Sequence, residues 1–290
     1  MYPFKIQFVL LGIPLDFGPY ALFFFLAAAT AVTGVWIFAV KRGFRPGQMA
    51  GLILVMLVSA VIGARLLNAL INWQIYAVEP GKLLALGVTG FSLYGGGIAA
   101  VLSGWLYCKM AGLNVYKMAD TFIPFLGISV AMMRIGCFLQ GCCFGVETTL
   151  PIGVKFPLLS PAHIHQMGIH GNFLEVNAVH PTQLYELAAG VILSIIAFKM
   201  LRKNYADGVT MLTVVALFSL FRIFNGFLRV RPEGSSAPAY FYPLLYAGLI
   251  LLCLFLILSK TGILKRKSGW PEPFTCDKIY PCTNTSKNWM

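Results

Sequence analysis

Charge is what this sequence has least of. Only 11% of its 290 residues are Asp, Glu, Lys or Arg, and just ten are acidic; a soluble globular chain carries about a quarter. With 58% hydrophobic residues and a mean hydropathy of +0.78, it lacks the polar surface to face water on all sides. Other absences narrow the function. There is no P-loop, and Y-G-G-G-I-A-A at 94–100 lacks the strand–turn–helix setting of a dinucleotide fingerprint. No internal repeat is visible, and the missing inverted halves argue against a small transporter. The first apolar run is flanked by Lys5 alone and lacks a small-residue cleavage site, so the first long span is expected to stay in the protein.

Long apolar runs are abundant. They predict an all-α, polytopic membrane helical bundle of about seven spans: 19–40, 48–70, 91–111, 118–137, 181–201, 208–228 and 239–259. Each approaches the ~20 residues that cross a hydrocarbon core. The net charge of +12 is not spread as a nucleic-acid footprint would be. Twelve Lys and Arg fall in the connections after the first, third, fifth and seventh spans, and five fall on the other side. The positive-inside rule then puts the N-terminus outside and the C-terminus in the cytoplasm. The expected organisation is a single transmembrane domain over 1–267 and a loosely ordered cytoplasmic tail over 268–290. Two outer connections are long. The one over 71–90 has room for a short interfacial helix; the one over 142–180 is rich in Gly, Pro and His. Long loops in compact proteins are more often functional than decorative.

An ionisable residue inside a span costs at least a few kcal/mol and marks function by default. Five stand out: Arg65, Asp120, Arg134, Glu186 and Arg222. Arg134, Cys137, Phe138, Gly141 and Cys142 share a helical face, as do Arg222, Asn225, Gly226 and Arg229, and as do Gln183 and Glu186. The plain alternative is that Asp120 and Glu186 neutralise two of the arginines and hold the bundle together. Even so, arginine is in surplus, and a planar guanidinium near an interface invites a polyoxygen anion such as a phospholipid headgroup. His180 precedes Pro181 at a helix entrance, where an imidazole is either a cap or a proton acceptor.

Cys137, Cys142 and Cys143 crowd into seven positions near the outer interface. Four readings stay open: a disulfide, a metal site completed by His163, His165 or His170, a thiolate nucleophile beside Arg134, or small residues packed at a helix crossing. Cys108 and Cys253 lie within spans and read as packing residues; Cys276 and Cys282 fall in the expected cytoplasmic tail.

Together these segments resemble the prolipoprotein diacylglyceryl transferase family, in order, from about 18 to 230. R-I-G-C-F-L-Q-G-C-C-F-G at 134–145 resembles the family's R-x-G-N-F-x-N-G-E-x-x-G. H-P-T-Q-L-Y-E at 180–186 is close to H-P-S-Q-L-Y-E, and G-A-R-L at 63–66 matches a second-span motif. F-S-L-Y-G-G-G at 91–97 resembles F-H-G-G, F-R-I-F-N-G-F-L-R at 221–229 resembles R-F-x-x-E-F-x-R, and Tyr20 matches a tyrosine that opens the first span.

The resemblance implies a bacterial cytoplasmic (inner) membrane enzyme. It would move the diacylglyceryl group of phosphatidylglycerol onto the lipobox cysteine of a preprolipoprotein and release glycerol phosphate. It implies no metal, no organic cofactor and no nucleic acid. By position, Arg134, Arg222, His180 and Tyr94 are the catalytic candidates. The substrate-binding candidates are Tyr20, Arg65, Gly95, Gly96, Cys137, Gln140, Gly145, Gln183, Tyr185, Glu186 and Arg229. Four departures from the pattern matter: Tyr94 stands for the family's His, Cys137 for Asn, Cys142 for Glu and Gly226 for Glu. A different acceptor, or a catalytically silent phospholipid-binding protein, is the alternative these departures raise.

Overall fold

The computed structural model describes residues 6–10, 13–79, 81, 91–203, 205–231, 238 and 240–261. The tail over 268–290, with Cys276 and Cys282, lies outside them. Among the described residues the order is a hairpin, β1 (Ile6–Leu10) and β2 (Ile13–Phe17), then nine helices. They are α1 (Pro19–Lys41), α2 (Pro46–Ile71), α3 (Trp73–Val78), α4 (Leu93–Met110), α5 (Val115–Gln140), α6 (Pro161–His170), α7 (Thr182–Leu201), α8 (Val209–Leu228) and α9 (Phe241–Lys260). The antiparallel hairpin, with Ile6 opposite Phe17, is an addition to the helical bundle that hydropathy predicts. The short helix expected within 71–90 is α3.

Among the described residues, six helices are long and apolar enough to cross a membrane: α1, α2, α5, α7, α8 and α9. Their most apolar windows bury only 6–28% of their residues inside the protein. The rest of that apolar surface is what a lipid-facing helix presents. The protein is a multi-pass membrane protein. The seventh expected span is α4, an 18-residue helix diluted by four glycines. Those glycines serve contact instead. A Cβ at Gly95 would collide with the Gly63 carbonyl oxygen, and one at Gly96 would press on the carbonyl of Ala60. Small residues thus let α4 lie against α2, the usual way membrane helices approach closely.

The central helix is α5, which packs on α1, α4, α7 and α8. It starts at Asn114, whose side chain accepts from Tyr116 N and Lys117 N. It crosses α7 where Gly127 meets Gly190, and the buried Ser194 hydroxyl bridges to the carbonyls of Pro124 and Gly190, 2.8 Å each. From that crossing, Arg134 lies two turns along α5 and Glu186 one turn back along the antiparallel α7, so the two meet.

Asp120 corrects one expectation. It does not neutralise a membrane arginine. Its carboxylate accepts from Gly208 N (2.6 Å) and Met211 N (2.7 Å) and so caps the start of α8 from a neighbouring helix.

Candidate active site

α5 ends in a Schellman turn: Cys142 N donates to Cys137 O and Gly141 N to Phe138 O, with Gly141 left-handed at φ 72°. The chain then stays tight. Cys143 is left-handed too, at φ 61°, a conformation that costs a non-glycine residue roughly 1–2 kcal/mol. The first turn of α7 holds it there. Thr182 Oγ1 donates to Cys143 O and Gln183 Nε2 to Cys142 O, both at 2.7 Å.

Residues 144–147 then thread between two backbones. Gly145 N donates to His180 O, Val146 N to Leu228 O, and Val230 N to Phe144 O. This stitching ties the cysteine turn to the end of α8, where Arg229 pairs with Gly145 as a β-bridge. A Cβ on Gly145 would strike Leu228 O and His180. Its missing side chain therefore admits protein backbone.

Glu186, 2% exposed, is the charge centre. Arg134 Nε lies 2.5 Å from one carboxylate oxygen and Arg222 Nη1 2.5 Å from the other; Arg229 Nη1 is 3.6 Å away. Asn225 Nδ2 adds a hydrogen bond at 3.0 Å. Three guanidinium groups against one carboxylate leave a surplus of two positive charges. Arg222 Nε also donates to Tyr246 Oη at 3.3 Å.

The three arginines, Glu186 and the cysteine turn border one cavity of about 730 Å³, within the range of small-molecule and cofactor sites. Its wall includes Tyr20 (α1), Tyr94 (α4), Arg134, Cys137 and Gln140 (α5), Cys142 and Cys143 in the turn, Glu186 (α7), Arg222 and Arg229 (α8 and its end) and Tyr246 (α9). A side cavity of about 160 Å³ continues past Tyr94, Arg222, Gly226 and Arg231.

The structure thus gathers eight sequence candidates on the cavity wall: Tyr20, Tyr94, Arg134, Cys137, Gln140, Glu186, Arg222 and Arg229. Gln183 stands behind them as support for the turn. His180 does not line the cavity. Its Nδ1 is 3.2 Å from Tyr185 Oη, so the two form a pair behind the stitched loop. Gly95 and Gly96 face α2 rather than the cavity, and Arg65 stacks over Phe91 at 4.9 Å. Tyr246 was not predicted, because an aromatic in the last apolar span carries no signal of its own. Asn225 was visible on the Arg222 face.

A metal site completed by histidine is overturned. His163 is bound to Leu159 N and Phe173 O, His165 packs on Phe144, and His170 lies 2.7 Å from Glu147. Cys137, Cys142 and Cys143 instead gather on their own as free thiols, their sulfur atoms within 4.8 Å of one another. Arg134 Nη1 donates to Cys137 Sγ at 3.6 Å. Hydrogen bonds from the Cys137 and Cys142 thiols draw the Cys143 thiol well below its ordinary range, and Arg229 and Arg134 add to this. The same contacts push Cys142 up.

The family profile described as prolipoprotein diacylglyceryl transferase matches residues 8–264. The chain belongs to this family. It is 32% identical over 197 residues to the phosphatidylglycerol–prolipoprotein diacylglyceryl transferase of Clostridium tetani, covering 67% of this chain and 74% of that one. It is 27% identical over 266 residues to the Bacillus cereus protein of the same name, covering 89% and 93%. Within a diacylglyceryl transferase family, the cavity joins a group of arginines to three thiols, two of which, Cys137 and Cys142, stand where the motif has Asn and Glu.

Proposed function

We propose that this protein transfers the diacylglyceryl group of phosphatidylglycerol to the lipobox cysteine thiol of a preprolipoprotein, in the bacterial cytoplasmic membrane. The observation that carries the reading is the surplus of guanidinium charge around Glu186, facing the cavity. Arg222 and Arg229 hold the phosphate of the donor, and Arg134 holds the charge that grows on the leaving oxygen. Such charge-directed donors act most strongly in a site shielded from water. The acceptor thiol loses its proton to solvent, its sulfur forms a bond to the glycerol carbon, the carbon–oxygen bond to phosphate breaks, and glycerol phosphate leaves with the electron pair. Tyr20, Tyr94 and Gln140 wall the cavity against the lipid. Glu186 fixes the arginines, and Gln183 fixes the turn. The His180–Tyr185 pair is a proton acceptor only if the loop in front of it moves. Residues 1–267 act as one domain with the N-terminus outside, which puts the cysteine turn at the outer face where a secreted acceptor emerges.

The test uses purified protein in phosphatidylglycerol vesicles with a lipobox peptide. The expected products are a peptide heavier by one diacylglyceryl group and free glycerol phosphate, both lost in Arg134→Ala. No product, with the Bacillus cereus relative active alongside, overturns the reading.

A further inference from the structure

The three thiols on the cavity wall are not needed to bind phosphate, and the chain spends backbone strain at Cys143 to bring them together. We propose that Cys137, Cys142 and Cys143 form a three-thiolate site for zinc or a similar d10 cation, whose open fourth position takes the acceptor thiol and holds it as a thiolate. This rests on the transfer reading above.

Geometry supports a cation. With zinc–sulfur bonds of about 2.3 Å, sulfurs around one ion sit roughly 3.8–4.0 Å apart. The three sulfurs already lie within 4.8 Å of one another, at most about 1 Å beyond the zinc-bound spacing. The support around the sulfurs is also that of a metal site. Cys137 is 1% exposed and receives Arg134 Nη1, and the carbonyls of Cys142 and Cys143 are anchored by Gln183 and Thr182. Groups that orient ligands in this way are part of a working metal site.

Three protein ligands with a fourth place open to the cavity is the arrangement of catalytic rather than structural zinc. A thiol that enters that place loses its proton outright. Charge agrees as well. Three thiolates and a divalent cation carry one net negative charge, and a bound acceptor thiolate makes it two. Of the surplus of two positive charges around Glu186, one offsets the site before the acceptor binds and the other is left for the donor phosphate. The same site explains how the chemistry proceeds with Tyr94 where the family has its histidine. The proton leaves the acceptor thiol for solvent on coordination. The metal-held sulfur then bonds to the glycerol carbon as the carbon–oxygen bond to phosphate breaks, and the thioether, a weaker ligand, departs.

The test uses the full chain carrying Cys276→Ser and Cys282→Ser, so that the tail adds no thiols, reduced and in detergent micelles. Titration with Co(II) is expected to give sulfur-to-cobalt charge transfer and tetrahedral ligand-field bands that saturate at one ion per chain. Zinc should bleach them. Cys143→Ser should abolish the bands, and Cys143→His, which keeps a ligand, should retain binding with weaker charge transfer. A lipobox peptide should add charge-transfer intensity, and its Cys→Ser version should add none. Absence of the bands in the parent chain overturns the site, as does an unchanged spectrum in both Cys143 variants. These readouts need no lipid donor, so they stand or fall apart from transfer. In the transfer assay, stripping zinc is expected to slow the reaction about 100-fold, on the scale of a positioned proton acceptor, with recovery on adding zinc back. Full activity of the stripped enzyme overturns the thiol-activating role. Inactivity in every form counts against the transfer reading, and the cobalt–peptide titration still decides the thiol's role.

Discussion

Glu186 answers to Arg134, Arg222 and Arg229 from a position 2% exposed. Replacing it with Gln keeps its shape and removes the counter-charge. Breaking a buried pair in this way costs about 3–5 kcal/mol. Glu186→Gln is therefore expected to lower the thermal melting point in detergent and to abolish transfer, whereas Arg65→Ala, outside the cavity wall, should leave the arginine group intact. A melting point within error of wild type would show that the carboxylate is not the centre of the group. Thr182 offers a finer probe. Thr182→Val removes one hydrogen bond to Cys143 O and nothing else of size, at a cost of about 1 kcal/mol. If that bond holds Cys143 left-handed, iodoacetamide should alkylate Cys143 faster in the variant, read by peptide mass mapping. An unchanged rate would assign the turn to Gly141 and Gln183 alone.

At the level of elements, what the sequence made legible and what it hid divide along physical lines. Spans were legible because a run of apolar residues is a local property. The predicted 118–137 became Val115–Gln140 and 208–228 became Val209–Leu228, with edges moved by caps and by residual polarity. Helical period grouped Arg134 with Cys137 in α5 and Arg222 with Asn225 in α8, since i, i+3 spacing survives in any straight helix, whereas Arg229 reaches the same cavity from the extended residue after α8. Partnerships across helices were hidden, because they depend on packing between distant segments. Asp120 reaches the start of α8, 88 residues away, instead of an arginine. The α4 glycines were hidden for the same reason: an empty side-chain position looks alike whether lipid or another helix fills it. The distinction predicts opposite outcomes two residues apart. Gly95→Leu must drive into the Gly63 carbonyl and Leu67, and overpacking of this kind costs about 1–3 kcal/mol. Gly97 has open space around it, so Gly97→Ala should stabilise α4 by up to about 1 kcal/mol through helix propensity. Melting curves of the two variants in detergent check both signs at once, and a stable Gly95→Leu would separate α4 from α2.

For the whole molecule, the placement of the site across the bilayer follows from orientation. The α5–α6 connection carries the cysteine turn, and the basic residues Lys41, Arg42, Lys109, Lys117, Lys199, Arg202, Lys203 and Lys260 gather toward the opposite ends of the spans. Positive charge at short connections is retained on the cytoplasmic side, so the arginine cavity and the thiols should open outward. Leu174 is 78% exposed in the long connection, and Lys203 lies exposed after α7. In spheroplasts, a membrane-impermeant maleimide is expected to label Leu174→Cys directly, and Lys203→Cys only after permeabilisation. Peptide mapping separates these labels from the native cysteines. The reverse pattern would turn the cavity toward the cytoplasm, where reduced thiol pools compete for a soft cation and where a secreted acceptor has not yet crossed. The expected pattern instead leaves the acceptor cysteine, the donor headgroup and the three thiols on one side of the membrane, which a single cavity of about 730 Å³ requires if it is to serve all three.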